Sequence, residues 1–194
     1  EPKKIQYPKA LTHHFKGRLD SSLPSGNEGA GVVVKAGTDV KEMIGKVVSV
    51  FGANSFSKFR TLPAQACMVM NDGTTPKDAA ASCVNPFTVL GMVETMKMEN
   101  HTALINTAAA SNLGQMLVKV CQSDGVPLIN IVRRQNQVDL LKSIGAEYVI
   151  NSSDDSFRTD LISAIKETGA TLAFEAIGGG TMAGQILEAM EKAI

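Results

Sequence analysis

The stretch from residue 103 to residue 132 determines the fold of the C-terminal half: ALIN (103–106), TAAASNLG (107–114), QMLVKVCQSDGVP (115–127) and LINIV (128–132). The first and last runs are short and apolar, which is typical of buried strands. Between them the apolar residues recur with the spacing of a single helical stripe: Leu113, Met116, Leu117, Val120 and Cys121. Asp124-Gly125 ends this helix. The order of strand, helix and strand predicts a βαβ unit.

The same alternation continues towards the end of the chain. Short apolar runs at 148–150 and 171–174 predict two more strands, with helical stripes between the strands and a last helix from about Met182. Four strands that alternate with helices predict a parallel, doubly wound sheet. A complete dinucleotide-binding domain has two βαβαβ halves, and this pattern covers the first half and the start of the second. We therefore expect a fragment of a longer protein.

The first eighty or so residues have the pattern of strands and turns. The β-branched runs GVVVKA (31–36) and KVVSVF (46–51) predict buried strands, and 58–62 and 66–70 are shorter candidates. Thr75-Pro76-Lys77-Asp78 predicts a helix start, with a capping residue, a proline at the first helical position and an acid in the first turn. A further helix is predicted to open at Pro86. We predict an α/β protein, with a β-rich domain over 1–84 and a Rossmann domain over 85–194.

The turn after the first parallel strand has the position of a phosphate-binding turn. A dinucleotide fingerprint needs small residues for a tight turn, for close approach to pyrophosphate and for helix–strand packing. Gly114 fills the third position, and Ala108 and Ser111 stand at the first two. Ser111 or Asn112 could cap the helix or bond the phosphate itself. The predicted contacts are Ala109, Ala110, Ser111, Asn112, Leu113 and Gly114. The alternative is an ordinary capped turn.

Two arginines follow the second parallel strand. An NAD site usually carries an acid there for the ribose 2′-hydroxyl, but Arg133 stands 19 residues after Gly114 and Arg134 follows it. Guanidinium groups suit a 2′-phosphate, which they bind through paired, charge-assisted hydrogen bonds. The sequence therefore predicts NADPH rather than NADH as the cofactor. The alternative is a solvated basic pair on a loop.

Composition limits the class of partner. The chain has 194 residues, 44% of them hydrophobic, and 19 basic residues balance 19 acidic ones. We therefore expect neither nucleic acid nor a membrane surface as a partner, and no apolar run approaches the roughly 18 residues of a spanning helix. Cys67, Cys83 and Cys121 fit neither a disulfide framework nor a zinc-knuckle spacing, which predicts reduced, mostly buried thiols in a cytoplasmic protein.

Several stretches, in order, resemble the medium-chain dehydrogenase/reductase superfamily. GNEGAGVV (26–33) is similar to the G-x-E-x-x-G-x-V motif of its GroES-like catalytic domain, and NPFTVL (85–90) to the start of its cofactor domain. LLKSIGAEYV (140–149) and AFEAIG (173–178) resemble two later segments of that domain. Within the superfamily the chain looks most like the zinc-free quinone oxidoreductases and the enoyl thioester reductases.

The resemblance implies part of a GroES-like domain followed by part of a Rossmann domain. It also implies hydride transfer from NADPH to a small-molecule substrate, either a quinone or an α,β-unsaturated carbonyl, and the family often forms homodimers. Asn27 and Asn85 are the catalytic candidates, with Asn27 donating to a developing oxyanion. Asn85, Thr88 and Gly178 are expected to contact the cofactor.

Two other readings of this resemblance stay open. One is a non-catalytic NADPH-binding or structural protein of the same superfamily, which includes lens crystallins. The other, weaker one is a zinc alcohol dehydrogenase. Those enzymes carry histidine where this chain has Asn27, and asparagine is a poor zinc ligand. His13 and His14 are expected to be solvated, and Tyr7 cannot be assigned as a proton donor.

Overall fold

The computed structural model describes residues 25–52 and 54–193, and these fall into two compact units that divide between Ala81 and Ser82. The expectations for Tyr7, His13 and His14 fall outside the described residues. Within the described part of the chain, no helix is both long enough and apolar enough to cross a membrane.

The first unit holds a three-stranded antiparallel sheet in the order β1 (Glu28–Val32), β2 (Val47–Phe51), β3 (Cys67–Val69). The central strand β2 buries three consecutive residues, Val48, Ser49 and Val50. The Ser49 hydroxyl donates a hydrogen bond to the Ala79 carbonyl at 3.2 Å, which ties β2 to the short helix α1 (Pro76–Ala79). Thr75 and Asp78 form the reciprocal cap that begins α1, as their spacing predicts.

Two predictions about this unit are wrong. The first strand begins at Glu28 rather than at Gly31, and Val34 is 70% exposed instead of buried. The strand also ends at Val32, so Val34 lies beyond the end of β1 and outside the sheet. Residues 58–62 form no strand, and Phe59 in their middle is 72% exposed.

The second unit contains a four-stranded parallel sheet with helices on both faces. Its elements are α2 (Val84–Met98), β4 (Leu104–Asn106), α3 (Asn112–Asp124), β5 (Leu128–Val132), α4 (Gln135–Ser143), β6 (Tyr148–Asn151), α5 (Phe157–Thr168), β7 (Leu172–Phe174) and α6 (Met182–Ala193). The predicted parallel, doubly wound sheet is therefore confirmed. Helix α2 begins two residues before Pro86, and the proline is tolerated there because the first turn needs no N–H donors.

Alternate residues of the strands bury opposite faces of this sheet. Leu104 of β4 packs in one core with α2, α3 and α4, whereas Ile105 packs in a second core with α5 and α6. Leu128 and Ile129 of β5 divide between the two cores in the same way. Burial on both faces explains why these strands are largely apolar in the sequence, with Asn106 and Asn130 as buried polar exceptions.

The strand order positions the site. The order is β6-β5-β4-β7, so the chain moves outward from β4 through β5 and β6 and then returns to the other side of β4. Residues Asn106 and Phe174, at the carboxyl ends of β4 and β7, lie side by side in register. In open α/β sheets, ligands bind outside the carboxyl ends of the strands where the order reverses. That crevice lies between the loops that follow β4 and β7.

Candidate functional site

The turn after β4 brings the backbones of a loop and a helix into direct contact. A Cβ atom added at Gly114 would lie 2.1 Å from the carbonyl oxygen of Ala109 and 2.5 Å from its carbonyl carbon. No real side chain makes such contacts, so glycine is required for α3 to approach the turn. Ala109 is itself buried, and its N–H donates to the Ile131 carbonyl at 3.3 Å, which attaches the turn to β5.

The first position of the turn also has the geometry that a glycine usually supplies. Ala108 has a φ of +51°, in the left-handed region that non-glycine residues rarely adopt. Ser111 is the N-cap of α3, because its hydroxyl oxygen accepts the Gly114 N–H at 3.1 Å. The structure therefore decides between the two candidates for the cap in favour of Ser111, and Asn112 is the first residue of the helix.

Two backbone donors at the start of α3 remain available to a ligand. The N–H groups of Asn112 and Leu113 have no hydrogen-bond partner among the residues that the structure describes. Helix α3 runs for 13 residues, and its dipole adds partial positive charge at this end. Free N–H groups and a helix dipole at one point favour an anion such as a phosphate.

The two arginines lie at the end of the neighbouring strand. The backbone of Arg133 is fixed at both polar atoms: its N–H donates to Gln137 Oε1 at 3.1 Å, and its carbonyl accepts from Ser153 Oγ at 3.0 Å. Both Arg133 and Arg134 are exposed, and neither guanidinium forms an ion pair with a described carboxylate. A fixed backbone and uncompensated positive charge leave both side chains available to an anionic group.

The loop after β7 is attached to the end of β4 by Glu175 and Thr107. The Glu175 carboxylate accepts the N–H groups of Ile177 and Gly178 at 2.7 and 2.9 Å. The Thr107 hydroxyl accepts the Ala176 N–H at 2.8 Å and lies 3.4 Å from Glu175 Oε1. The N–H groups of Gly178 and Ile177 lower the pKa of Glu175, so the side chain is a carboxylate at neutral pH. Sequence reasoning missed both Glu175 and Thr107, although each directly follows a predicted strand.

The other predicted site residues lie in three places. Asn85 and Thr88 lie in the first turn of α2, where the Thr88 hydroxyl donates to the Val84 carbonyl at 2.7 Å within the same helix. Gly178 lies in the loop after β7 with a φ of +70°. Asn27 lies in the first unit, exposed on the turn before β1, where its carbonyl accepts the Gly52 N–H at 2.7 Å.

The predicted thiols and metal-ligand types can also be located. Cys83 and Cys121 are buried, and Cys67 is half-buried. Burial raises the pKa of Cys121 to about 11, so this thiol is protonated and unreactive at neutral pH. Within 25–52 and 54–193, no three His, Cys, Asp or Glu side chains come together in a group that could hold a metal ion.

Comparison with known proteins agrees with this geometry. Residues 113–193 match the family described as zinc-binding dehydrogenase. A solved structure of a proposed NADPH:quinone reductase from Mesorhizobium loti is 31% identical, with a TM-score of 0.75, over 87% of this chain and 50% of that one. The mitochondrial enoyl-[acyl-carrier-protein] reductase of Caenorhabditis elegans is 29% identical over 149 residues, which is 73% of this chain and 43% of that protein.

A third relative is much larger than this chain. The squalestatin hexaketide synthase of a Phoma species is 28% identical over 161 residues, which is 79% of this chain but 6% of the synthase. The chain thus spans about half the length of these two reductases and a small part of the synthase.

The parallel sheet and the turn after β4 define the second unit as a Rossmann-type α/β unit. In the sequence it follows a small β-rich unit. The chain is similar in sequence and fold to the medium-chain dehydrogenase/reductase superfamily, and the proteins that it matches include quinone reductases and enoyl reductases. The resemblance seen in the sequence motifs is thereby confirmed.

Proposed function

We propose that the protein is an NADPH-dependent, zinc-free oxidoreductase that transfers a hydride to a quinone or to an α,β-unsaturated carbonyl compound. The observation that carries this proposal is the turn after β4. Gly114 lies against Ala109 with no room for a side chain, while the N–H groups of Asn112 and Leu113, at the start of a 13-residue helix, have no partner among the described residues. This is the local geometry that dinucleotide pyrophosphates use.

The residues present fit the cofactor at two separate points. The unpaired N–H groups of α3 would hold the pyrophosphate, together with the small residues 109–111. Arg133 and Arg134, at the carboxyl end of the adjacent strand β5, would hold the 2′-phosphate. Neither arginine forms an ion pair with a described carboxylate, and the sequence has no acid directly after β5 to repel that phosphate. This supports NADPH over NADH.

When bound, NADPH supplies the hydride. The protein's own part is to bind, orient and polarise. We propose that Asn85, Thr88 and Gly178 help to position the nicotinamide end, and that Asn27 donates a hydrogen bond to the acceptor oxygen as negative charge develops there. We assign residues 1–84 to the catalytic domain and 85–194 to the cofactor domain.

The zinc-free assignment rests on Asn27, because an amide oxygen is a weak ligand compared with the histidine of the zinc alcohol dehydrogenases. The description of the matched family as zinc-binding is a property of that family, and the match covers 113–193 alone. A small-molecule substrate, a homodimer and a cytoplasmic location complete the proposal. The first two rest on the resemblance to the reductases, and the location rests on the cysteine pattern.

Steady-state turnover by the intact protein tests this function. The assay follows NADPH consumption at 340 nm, the usual absorbance of the reduced cofactor, with a panel of quinones, enones and enoyl thioesters. We expect turnover with at least one class, and its identity separates a quinone reductase from an enoyl reductase. Tight NADPH binding without turnover of any acceptor would instead support the non-catalytic reading and contradict the proposed reaction.

A further inference from the structure

Two side chains, Thr107 and Glu175, join the two loops that flank the crevice of the parallel sheet. Thr107 follows β4 and Glu175 follows β7, and these are the strands between which the order of the sheet reverses. The Thr107 hydroxyl is bonded to the Ala176 N–H at 2.8 Å, and Glu175 receives the next two N–H groups at 2.7 and 2.9 Å. Three successive backbone donors of the β7 loop are thus fixed by two side chains.

The partners of Glu175 indicate its role. All its hydrogen-bond donors are neutral: two backbone N–H groups and one hydroxyl. No described lysine, arginine or histidine forms an ion pair with it. The Glu175 carboxylate therefore differs from that of Glu188, which links α6 to α5 through an ion pair with Arg158. It shapes the loop that follows it, and the lowered pKa of Glu175 has the same physical cause.

The loop held in this way is the glycine run 178–180. Gly178 and Gly180 have φ values of +70° and +73°, so their backbone conformation explains the glycines. Gly179 has no positive φ, and a Cβ atom at that position would meet nothing within 4 Å. Neither backbone strain nor packing within the described residues requires glycine at 179. The backbone at Gly179 is therefore open to close approach by a ligand.

We infer that Glu175 is a positioning residue for the cofactor: together with Thr107 it holds the Gly178–Gly180 loop as the second wall of the crevice, opposite the turn after β4. The bound cofactor would pack against the bare backbone at Gly179. This inference rests on the proposed function, because it needs NADPH in the crevice. It adds two residues, Glu175 and Gly179, to which the sequence alone assigned no binding role.

The first test replaces Glu175 by glutamine in the intact protein. The amide NH₂ cannot accept a hydrogen bond, so one of the two backbone N–H groups loses its acceptor. Calorimetric titration should show NADPH binding about tenfold more weakly, the scale of one charge-assisted hydrogen bond. Hydrogen exchange of the amides of Ile177 and Gly178 should speed up without cofactor. Glu188→Gln is the matched control, since it removes another hydrogen-bonded carboxylate of the same unit and should change neither measurement.

The second test compares two glycines that both have open space around them, Gly179 in the loop and Gly184 in α6. Gly179→Ala adds one carbon in open space, so the melting temperature should stay within about 2 °C of the parent, as is usual for a surface substitution. NADPH affinity should nevertheless fall, by about tenfold or more if the backbone is in contact with the ligand. Gly184→Ala, in α6, also meets nothing within 4 Å and should leave the affinity unchanged.

The outcomes separate this inference from the proposed function. A wild-type protein that binds no NADPH overturns both. A wild type that binds NADPH, with Glu175→Gln and Gly179→Ala binding it equally well, overturns the positioning role and leaves the function intact. The positioning role is also contradicted if Glu175→Gln binds NADPH more weakly while hydrogen exchange of the Ile177 and Gly178 amides stays unchanged. Glu175 would then affect NADPH binding without acting through the loop. Thr107→Val should weaken NADPH binding as Glu175→Gln does, because it removes the hydroxyl. Thr107→Ser keeps the hydroxyl and should bind NADPH with the parent affinity.

Discussion

Gly114 and Ala109 touch backbone to backbone, and the smallest side chain would separate them. The built Cβ position at Gly114 is 2.1 Å from the Ala109 oxygen, so α3 has to move for any substitution to fit. We predict that Gly114→Val lowers the free energy of unfolding by about 1–3 kcal/mol, the usual cost of overpacking, and abolishes NADPH binding. Urea denaturation and calorimetry measure the two effects. A folded Gly114→Val protein with parent affinity would show that this is an ordinary turn.

Ala108 is a second residue at which the backbone is under strain. Its φ of +51° costs an L-residue about 1 kcal/mol, and glycine avoids that cost while it adds some entropy to the unfolded chain. Ala108→Gly should therefore be neutral or raise the free energy of unfolding by up to about 1 kcal/mol. Ala110→Gly is the control, because Ala110 has no positive φ and the substitution there should destabilise. The reverse ranking in thermal denaturation would refute the strain at Ala108.

At the scale of elements, the N-terminus of α3 combines a structural cap with a proposed phosphate site. Ser111→Ala removes the acceptor of the Gly114 N–H and should cost about 1 kcal/mol of stability. Ser111→Asp keeps a capping oxygen and suits the helix dipole, so its stability should equal or exceed that of the parent. The added negative charge should nevertheless weaken NADPH binding by repelling the pyrophosphate. Undiminished NADPH affinity in Ser111→Asp would place the phosphates elsewhere.

Elements that are determined by local sequence signals could be predicted from the residues alone. Strand β5 has the predicted bounds, and α3 begins and ends at the predicted cap and glycine, because its stripe, Ser111 and Gly125 are all local signals. Strand β1 could not be placed in this way. Its burial depends on which strands cover it, and an apolar run such as GVVVKA carries no information about that.

The candidate site likewise has one part that could be predicted from the sequence and one part that could not. The turn that we propose binds phosphate could be predicted because its glycine and small residues have a fixed spacing between a strand and a helix. Glu175 and Thr107 are 68 residues apart in sequence, and only the return of β7 to the side of β4 brings them together. No spacing rule connects two loops across a point where the strand order reverses, so this pair required the structure.

For the molecule as a whole, the proposed chemistry needs no metal. The assignment of Asn27 in place of a histidine ligand predicts that activity of the intact protein survives prolonged treatment with a strong chelator such as EDTA. Metal analysis before and after treatment shows whether any zinc was present and removed. Loss of activity on chelation, with recovery when zinc is added back, would favour the zinc alcohol dehydrogenase reading.

The proposed preference for NADPH over NADH is a property of the whole protein that depends on Arg133 and Arg134 at the end of β5. Arg133 and Arg134 are exposed at the end of β5, and neither forms an ion pair within the part of the chain that the structure describes. A guanidinium contact with a 2′-phosphate contributes about 1.5–3 kcal/mol. Arg133→Asp should therefore weaken NADPH binding and leave NADH binding nearly unchanged or improved. Arg134→Ala should have the smaller effect if Arg133 makes the main contact.

The most direct measurement is a calorimetric titration of the intact wild-type protein with NADPH and with NADH at one fixed salt concentration, since salt screens the contact. We predict that NADPH binds about tenfold to a hundredfold more tightly than NADH, and that Arg133→Asp removes this preference. Equal affinity of the wild type for the two cofactors, or a preference that survives Arg133→Asp together with Arg134→Ala, would contradict the assignment of these arginines to the 2′-phosphate and with it the NADPH dependence proposed here.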